Sequence, residues 1–257
     1  MKTILKKMRT LLFLDLGWFF RFTRKRFWQR VGLFKTRMTG RQCVDVDIDG
    51  TRVKLSTLTP YHHSISQHLL HGRYEMEQLS QWLVLLPSKK VIYDVGGFNG
   101  IYGLVAALRS PEAQVVIFEP DAANAKEIRN SIGINQLSNC RVEEAAISDH
   151  TGRLFFSQGG STGEHISTAN EGKSVQAYAL KDLPHADLMK IDIEGAEAMA
   201  LRGMDYKATI LLEVHPLFLP HFQDSVESLM QMISEKGYAV SEVGKGEEYQ
   251  RHYLLTA

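Results

Sequence analysis

The sequence predicts an α/β protein built on a doubly wound, mostly parallel sheet. Three observations indicate this fold class: apolar runs alternate with helical stretches after residue 90, a glycine-rich loop follows the first run, and an acidic residue ends the second. Continuous apolar strands separated by helices are typical of a parallel sheet that is covered on both faces. The chain has 257 residues, 44% of them hydrophobic, which is enough for one large core.

The alternating part of the chain is predicted to form the main domain, residues 88–257. The strands are expected at 91–95, 115–119, 141–147, 188–193 and 210–214, and the helices at 101–109, 122–134 and 225–236, with a short helix after Gly195. Residues 153–157 and 175–179 are predicted as extra strands of an insertion. Two terminal strands are expected near 238–243 and 251–255, and the sheet should include an antiparallel C-terminal strand.

Residues 42–87 are predicted to form an N-terminal hairpin and a lead-in helix. The segments 44–48 and 51–55 alternate apolar and polar residues around Asp49-Gly50. Asp-Gly is a favoured two-residue hairpin turn. The lead-in helix is expected over residues 68–86, because Pro87 ends the helical pattern.

Residues 1–41 differ from the rest of the chain in charge. They carry twelve Lys or Arg and one acid, Asp15, whereas the remainder carries 18 basic and 28 acidic residues. Interleaved leucine and aromatic residues predict a basic amphipathic helix that makes peripheral contact with an anionic membrane surface. Packing on the body of the protein or on a partner subunit is the alternative. The apolar run 11–20 is too short, and too interrupted by Asp15, to span a bilayer.

The rest of the composition excludes several other classes. Residues 42–257 are acidic overall, so no nucleic-acid partner is expected. Cys43 and Cys140 are the only cysteines, which favours free thiols in a reducing compartment over a disulfide framework or a zinc site. We therefore predict a cytoplasmic protein.

The loop from Asp94 to Gly100 is the first candidate for a ligand site. Ligands of open α/β sheets bind beyond the carboxyl ends of the strands, and this loop follows the first predicted strand. Gly96 and Gly97 permit a tight turn and a close approach to a ligand. Neither the dinucleotide pattern G-x-G-x-x-G nor the P-loop pattern is matched. The acid at 94 suits a sulfonium and an ammonium group better than it suits phosphates.

Glu119 ends the second predicted strand and is expected to accept the hydroxyl groups of a ribose. Pro120 stops this strand, and Asp121 begins the next helix. NAD-binding proteins place an acid at the same point, so Glu119 indicates an adenosine-type ligand without choosing among such ligands. A simple helix-entry role is the alternative.

Four sequence blocks together resemble the FkbM family of class I methyltransferases. In order they are Asp94-Val-Gly-Gly-Phe-Asn-Gly100, Phe118-Glu-Pro-Asp121, Ala145-Ala-Ile-Ser-Asp149 and Met189-Lys-Ile-Asp-Ile-Glu-Gly-Ala-Glu197. The resemblance covers residues 70–215 and implies a Rossmann-like sheet of class I methyltransferase type. It also implies S-adenosylmethionine as methyl donor and hydroxyl groups of sugars, polyketides or other secondary metabolites as acceptors. Gly97-Phe98 departs from the family, which often has alanine or another small residue at the first of these positions.

The same resemblance assigns roles within the cofactor site. It implies that Asp94, Gly96 and Gly100 hold the methionine portion, that Glu119 holds the ribose, and that residues 146–149 border the adenine. A turn role for Asp149 is the alternative. Residues 73–75 are expected either to fold over the cofactor or to belong to a surface helix. The predicted cofactor site comprises Asp94, Gly96, Gly97, Asn99, Gly100, Glu119, Pro120, Asp121, Ala146, Asp149 and Asp192.

Methyl transfer to a hydroxyl group requires a positioned acceptor and a proton acceptor. Asp192 and Glu194 follow the fourth strand, and Glu213 and His215 end the next. Adjacent strands lie about 4.8 Å apart, so these four side chains should form one catalytic site. His215 is predicted to be the general base because its unperturbed pKa is closest to neutral. The alternative is that His215 only bonds a neighbouring carboxylate.

A carboxylate and histidine site could alternatively hold Mg²⁺. No ligand spacing demands a metal, and we predict none. Lys190 lies in a predicted buried strand, so it must pair with an acid such as Glu194 or Glu213. Its expected role is electrostatic and structural.

The predicted function is S-adenosylmethionine-dependent O-methylation of a glycan, a glycolipid or a small secondary metabolite. The alternative is a non-catalytic protein that binds an adenosine-type ligand, or acts as a scaffold, on the same fold. The spacing of the loop glycines disfavours a nucleotide-dependent oxidoreductase.

Overall fold

A computed structural model describes most of the chain from Cys43 onward. The described residues are 43–58, 60–72, 74–159, 163–166, 173–246 and 249–257. The predicted basic helix of residues 1–41 lies outside them. Within the described residues, no helix has both the length and the apolar character needed to cross a membrane.

The predicted N-terminal hairpin is confirmed. Strands β1 (Cys43–Ile48) and β2 (Thr51–Ser56) pair antiparallel. Asp49 and Gly50 between them have φ angles of 45° and 81°. Positive φ at both central residues is what a type I′ turn requires, and this turn matches the twist of the flanking strands.

The lead-in contains two helices, so the prediction of one helix over residues 68–86 was wrong. Helix α1 spans Pro60–Leu70 and helix α2 spans Met76–Leu85. Gly72 and Glu75 lie between or next to them with φ angles of 60° and 45°. A right-handed helix cannot continue through residues in this left-handed conformation.

Strands and helices alternate through the rest of the described chain. They are β3 (Val91–Val95), α3 (Ile101–Arg109), β4 (Gln114–Phe118), α4 (Ala122–Ile134), β5 (Cys140–Glu143), β6 (Ala145–Ser148), β7 (Gly152–Gly159), β8 (Gly163–Ile166), β9 (Lys173–Ala179), β10 (Leu188–Ile191), α5 (Glu197–Arg202), β11 (Thr209–Val214), α6 (Val226–Glu235), β12 (Ala239–Glu242) and β13 (Arg251–Thr256).

The central sheet has seven strands in the order β12-β13-β11-β10-β3-β4-β5. The pairs from β11 through β5 are parallel, and β13 is antiparallel to both of its neighbours. The chain runs outward from β3 to β5 and then returns to β10 on the other side of β3. This reversal opens a crevice beyond the carboxyl ends of β3 and β10, where such sheets bind ligands. The predicted fold class, with its antiparallel C-terminal strand, is confirmed.

The third predicted strand, residues 141–147, is divided between two sheets. β5 is the edge of the central sheet, whereas β6 pairs in parallel with β9 in a four-stranded sheet of order β6-β9-β7-β8. The backbone groups of β6 find their partners on β9, so the chain leaves the central sheet after Glu143. The extra strands predicted at 153–157 and 175–179 therefore belong to a separate small sheet.

Apolar side chains cover both faces of the central sheet. The hairpin, α2 and α3 contribute to the core on one face, where Leu79, Trp82 and Leu104 are fully buried. Helices α5 and α6 contribute on the other face, where Leu201 and Ile233 are fully buried. The hairpin thus shares the main core, while the predicted domain boundaries at 41 and 87 stay predictions.

Candidate active site

The glycine-rich loop is packed directly against the end of β10. Gly96 has a φ of 82°, and a Cβ atom on it would lie 1.7 Å from the backbone oxygen of Asp192. The N–H groups of Gly96 and Gly97 both donate to the backbone oxygen of Phe118, at 2.9 and 3.1 Å. Only glycine meets both the conformational and the steric demand at 96. The loop therefore joins the ends of three strands, β3, β4 and β10.

Asp94 lies beneath this loop and is almost fully buried. Its Oδ2 accepts a hydrogen bond from the N–H of Gly103 at 2.8 Å, which ties the end of β3 to α3. Burial raises the pKa of Asp94 to about 6, although the Gly103 hydrogen bond and Lys190 act in the opposite direction. The geometry gives Asp94 a supporting role in the loop, and its predicted contact with a ligand stays a prediction.

Asn99 offers a donor group at the same loop. Its Oδ1 accepts from the N–H of Ile101 at 3.0 Å, which fixes the orientation of the amide. Its Nδ2 is buried and has no hydrogen-bond partner among the described residues. A buried donor without a partner is costly, so a ligand that accepts a hydrogen bond here would be stabilised.

Glu119 holds the loop from the other side. Its Oε2 accepts from the N–H of Phe98 at 2.7 Å, and its Oε1 accepts from the N–H of Asp121 at 2.9 Å. Burial raises the pKa of Glu119 to about 7, against the effect of these hydrogen bonds. Asp121 caps helix α4 by accepting from the N–H of Asn124 at 2.7 Å. Pro120, between the two acids, is half-buried.

The residues predicted to border the adenine lie on β6 and just after it. Ala146 is buried against Val175, Ala177 and Ala196. Asp149 bonds the ring of His150 at 2.6 Å in an exposed turn before β7. This turn geometry matches the alternative stated for Asp149, and contact of either residue with adenine stays a prediction.

A cluster of ionisable side chains fills the carboxyl ends of β10 and β11. Lys190 is fully buried, and its Nζ lies 2.8 Å from Oε2 of Glu213 and 3.4 Å from Oδ2 of Asp192. The Nε2 of His215 lies 3.8 Å from Oδ1 of Asp192 and 3.7 Å from Oε2 of Glu194. The four predicted catalytic residues are therefore brought together as expected.

Glu213 contacts four other side chains of this cluster and its surroundings. Besides Lys190, its Oε2 pairs with Nε2 of His252 at 3.0 Å, and its Oε1 lies 3.4 Å from His215 and accepts from Gln250. Burial alone would raise the pKa of Glu213, but the surrounding cations and donors hold it well below its usual range. Both oxygens thus accept a hydrogen bond within the protein, from Lys190 and from Gln250, and Glu213 is only 3% exposed. Glu213 is therefore less accessible to a substrate proton than Asp192 or Glu194.

His215 is surrounded by acids on both ring nitrogens. Its Nδ1 lies 3.0 Å from Oε1 of Glu197, which is fully buried. Burial would lower the pKa of His215, but Glu197, Glu213 and the other carboxylates raise it to about 11. The raised pKa favours the imidazolium form, which has no lone pair with which to accept a proton, and the role of His215 as general base stays a prediction. His215 bonds neighbouring carboxylates, as the stated alternative proposed.

Asp192 and Glu194 are the acids that remain open. Their side chains are 25% and 44% exposed, whereas that of Glu213 is 3% exposed. Burial and the field of Glu213 raise the pKa of Asp192 well above its usual value, while Lys190 and His215 oppose that rise. A carboxylate with a raised pKa is a better proton acceptor than an ordinary one.

A comparison with known proteins identifies the family of this chain. Residues 94–240 match the family described as the methyltransferase FkbM domain, which is more than half of the chain. The chain belongs to this family.

Individual relatives are distant. Methyltransferase 1 of Beauveria bassiana (strain ARSEF 2860) is 22% identical over 185 residues, covering 60% of this chain and 74% of that protein. The AMB antimetabolite synthetase AmbE of Pseudomonas aeruginosa is 25% identical over 209 residues, covering 62% of this chain and 10% of that protein. Among solved structures, precorrin-6y C5,15-methyltransferase of Geobacter metallireducens GS-15 has a TM-score of 0.43 and 17% identity, with coverage of 70% of this chain and 86% of that chain.

In this FkbM-family chain, Glu75 of the lead-in segment lies beside the cluster of ionisable side chains at the ends of β10 and β11. The hydroxyl of Tyr102 donates to Oε2 of Glu75 at 2.7 Å. Burial raises the pKa of Tyr74 well above its usual value, and the fields of Glu75, Asp192 and Glu213 raise it further. Glu75 therefore lies beside Glu213 and His252, just before helix α2 begins at Met76, and contact of residues 73–75 with the cofactor stays a prediction.

Two members of this cluster, Glu197 and His252, were not among the predicted site residues. Glu75 was expected only as one of the residues 73–75 that fold over the cofactor or belong to a surface helix. Glu197 lies in the fourth sequence block, where its position after Gly195 could have drawn attention to it. His252 is found only through tertiary structure, because β13 places it directly opposite Glu213.

Proposed function

We propose that this methyltransferase transfers the methyl group of S-adenosylmethionine to a hydroxyl group of a glycan, a glycolipid or a small metabolite. One observation carries the proposal: Gly96 packs on the backbone of Asp192, so the ligand loop and the open proton acceptor meet at one point. A cofactor held by this loop would bring its reactive group close to that carboxylate.

The residues around the loop fit this cofactor. Asn99 has a buried amide N–H₂ group that could donate to a carboxylate or a ribose oxygen. Glu119 has a carboxylate at the end of β4, where a ribose binds in related sheets. Asp192 and Glu194 favour a cationic ligand over phosphates. S-adenosylmethionine supplies a methyl group on a positively charged sulfur.

Asp192 is the proposed proton acceptor. Transfer would form the bond between the acceptor oxygen and the methyl carbon and break the bond between that carbon and the sulfur. S-adenosylhomocysteine would be the leaving group, and the hydroxyl proton would pass to a carboxylate oxygen of Asp192. The imidazole of His215 bonds Glu197 through Nδ1 and lies 3.8 Å from Asp192 through Nε2, where a positive charge would favour the ionised form of Asp192. This assignment replaces His215 with Asp192 in the role of general base.

Calorimetry with S-adenosylhomocysteine and with NAD tests the ligand, and transfer of a labelled methyl group into cell-envelope glycans and small metabolites tests the reaction. We expect S-adenosylhomocysteine to bind and NAD not to bind. NAD binding alone would support an oxidoreductase, whereas S-adenosylhomocysteine binding without transfer to any acceptor would support the non-catalytic alternative.

Asp192→Asn tests the proton acceptor once a methyl acceptor has been found. We expect kcat to fall by at least about 100-fold, the usual range for loss of a general base, with the protein still folded. Asp205→Asn is the matched control, because Asp205 is exposed after α5. Unchanged kcat in Asp192→Asn would overturn the assignment.

The basic segment is proposed to hold the enzyme at an anionic membrane, where a glycolipid acceptor would be found. Residues 1–41 carry twelve cations. We expect the full chain to sediment with vesicles containing phosphatidylserine, less so at high salt, and not with neutral phosphatidylcholine vesicles. Replacing Arg24, Lys25 and Arg26 with glutamine should weaken binding. Failure of the full chain to bind anionic vesicles would exclude this contact.

A further inference from the structure

Two groups of side chains in the described residues have the composition and spacing of a divalent-metal site. One consists of Glu75, Glu213 and His252, and the other of Asp192, Glu213 and His215, with ligand atoms within 4.8 Å of one another in each. Carboxylate and imidazole ligands of this kind bind Mg²⁺, Mn²⁺ and Zn²⁺ in other proteins. Both groups depend on Glu213.

Lys190 already occupies the space that the two groups share. Its Nζ is 2.8 Å from Glu213 and 3.4 Å from Asp192. The same Nζ lies over the ring of Tyr102, 5.1 Å from its centroid, and Tyr102 in turn donates to Glu75. The ammonium group therefore contacts Glu213, which belongs to both sets of candidate ligands, and Asp192, which belongs to one. It also faces Tyr102, which is bonded to Glu75 of the other set. Its side chain is only 1% exposed, so it cannot move aside into solvent without unpacking β10.

The amino group of Lys190 is fixed by a hydrogen bond: its Nζ donates to Oε2 of Glu213 at 2.8 Å, as an ammonium group does. An ion entering here would have to displace a charged group that is already hydrogen-bonded to Glu213. Two cations in one small buried site repel each other strongly.

We propose that Lys190 is the built-in cation of this active site: its ammonium group stands where a divalent metal would otherwise bind, and it orients Asp192 without a metal. Lys190 is a positioning residue in this scheme, because it acts on the acceptor hydroxyl only through Asp192. The orientation of Asp192 rests on the proposed function, whereas the exclusion of metal does not.

Lys190→Ala tests the proposal by opening the position. The variant should bind one Mn²⁺ per chain, measured by electron paramagnetic resonance, with at least about tenfold higher affinity than the wild-type full-length chain. The double variant Lys190→Ala/Glu213→Gln should lose this binding, because both ligand groups need Glu213. Propylammonium, which can refill the space, should compete with Mn²⁺, whereas tetramethylammonium at equal ionic strength should not.

Lys207→Met is the matched control. Lys207 also lies over an aromatic ring, that of Tyr238 at 5.8 Å, but its Nζ bonds the backbone oxygen of Gly237 on an exposed surface. This variant should bind Mn²⁺ no better than wild type. If Lys190 had only a structural role, Lys190→Ala would bind Mn²⁺ no better than wild type. That result would overturn the proposal.

The wild-type chain provides a second test if Lys190→Ala does not fold. Wild type should show no specific Mn²⁺ site, and Glu213→Gln should not change its Mn²⁺ titration. Tight binding to wild type that Glu213→Gln removes would overturn the proposal. These metal titrations are independent of calorimetry with S-adenosylhomocysteine, so failure of the proposed function is distinguished from failure of this inference.

Discussion

The carboxylate of Glu119 accepts a hydrogen bond from the backbone N–H of Phe98 at 2.7 Å. The residue that follows β4 therefore holds the loop that follows β3. Phe98 needs such support because its φ angle is 49°, which is unfavourable for a residue with a side chain. Loop conformation and the predicted ribose contact thus depend on one acid.

Glu119→Gln should weaken binding of S-adenosylhomocysteine by at least about tenfold, the usual size of a lost hydrogen bond to a charged group. An amide still has one acceptor oxygen, but it cannot serve both the loop and a ribose. Calorimetry measures the change, and Glu112→Gln, at an exposed site, is the control. Equal affinity of Glu119→Gln and wild type would contradict the ribose assignment.

The wild-type affinity for S-adenosylhomocysteine should increase as the pH rises through about 7. Burial raises the pKa of Glu119 to about 7, so its carboxyl group is partly protonated near neutral pH. Ribose hydroxyl groups donate best to the ionised form, so ligand binding should release up to one proton. Calorimetry in buffers of different ionisation enthalpy measures this release. A proton release that persists in Glu119→Gln would have to come from another group.

Gly96→Ala should damage the site far more than its φ angle alone explains. Gly50 has nearly the same φ, 81°, but nothing lies within 4 Å of a Cβ placed there, whereas a Cβ on Gly96 meets the backbone of Asp192 at 1.7 Å. Gly50→Ala should cost about 1–2 kcal/mol in the free energy of unfolding. Gly96→Ala should cost more and abolish binding of S-adenosylhomocysteine. Similar unfolding curves for the two variants would argue against the close contact.

His215 should remain doubly protonated well above neutral pH. The surrounding carboxylates raise its pKa to about 11, although burial acts in the opposite direction. Nitrogen-15 NMR should show both ring nitrogens protonated near pH 8, and His215→Asn should remove this signal. His185 is the internal comparison, because it is exposed and stacks on Tyr206. A neutral imidazole at 215 would restore it as a candidate base.

Asn135→Ala should lower the free energy of unfolding by about 1 kcal/mol. The side chain of Asn135 in the turn after α4 bonds both the N–H and the backbone oxygen of Lys54 on β2, at 2.9 and 2.7 Å. These bonds give hydrogen-bond partners to both backbone groups of Lys54 and attach the hairpin to the main domain. Denaturant unfolding measures the effect, with exposed Gln231→Ala as the control. Identical midpoints for the two variants would mean that the hairpin docks without them.

The local patterns in the sequence predicted the elements that carry strong local signals. Asp49-Gly50 predicted the hairpin turn, and the apolar runs predicted the parallel strands, because turn chemistry and residue periodicity act over a few neighbours. The break at Gly72 and Glu75 was missed, since the helical pattern continues through it. The division of residues 141–147 was also missed, because the partner of β6 is β9, about 30 residues later in the chain.

The sequence by itself determined the fold class, the glycine-rich loop after β3 and the set of acids at the ends of β10 and β11. The tertiary structure decided which groups each acid contacts. Glu213 and Asp192 are both acids in the sequence, but His252 and Gln250 contact only Glu213, and Lys190 lies closer to Glu213 than to Asp192. Burial and neighbouring charge, which set a pKa, depend on residues that are distant along the chain. For the same reason His215 is predicted to be a base from the sequence, whereas in the folded protein carboxylates lie near both of its ring nitrogens and raise its pKa.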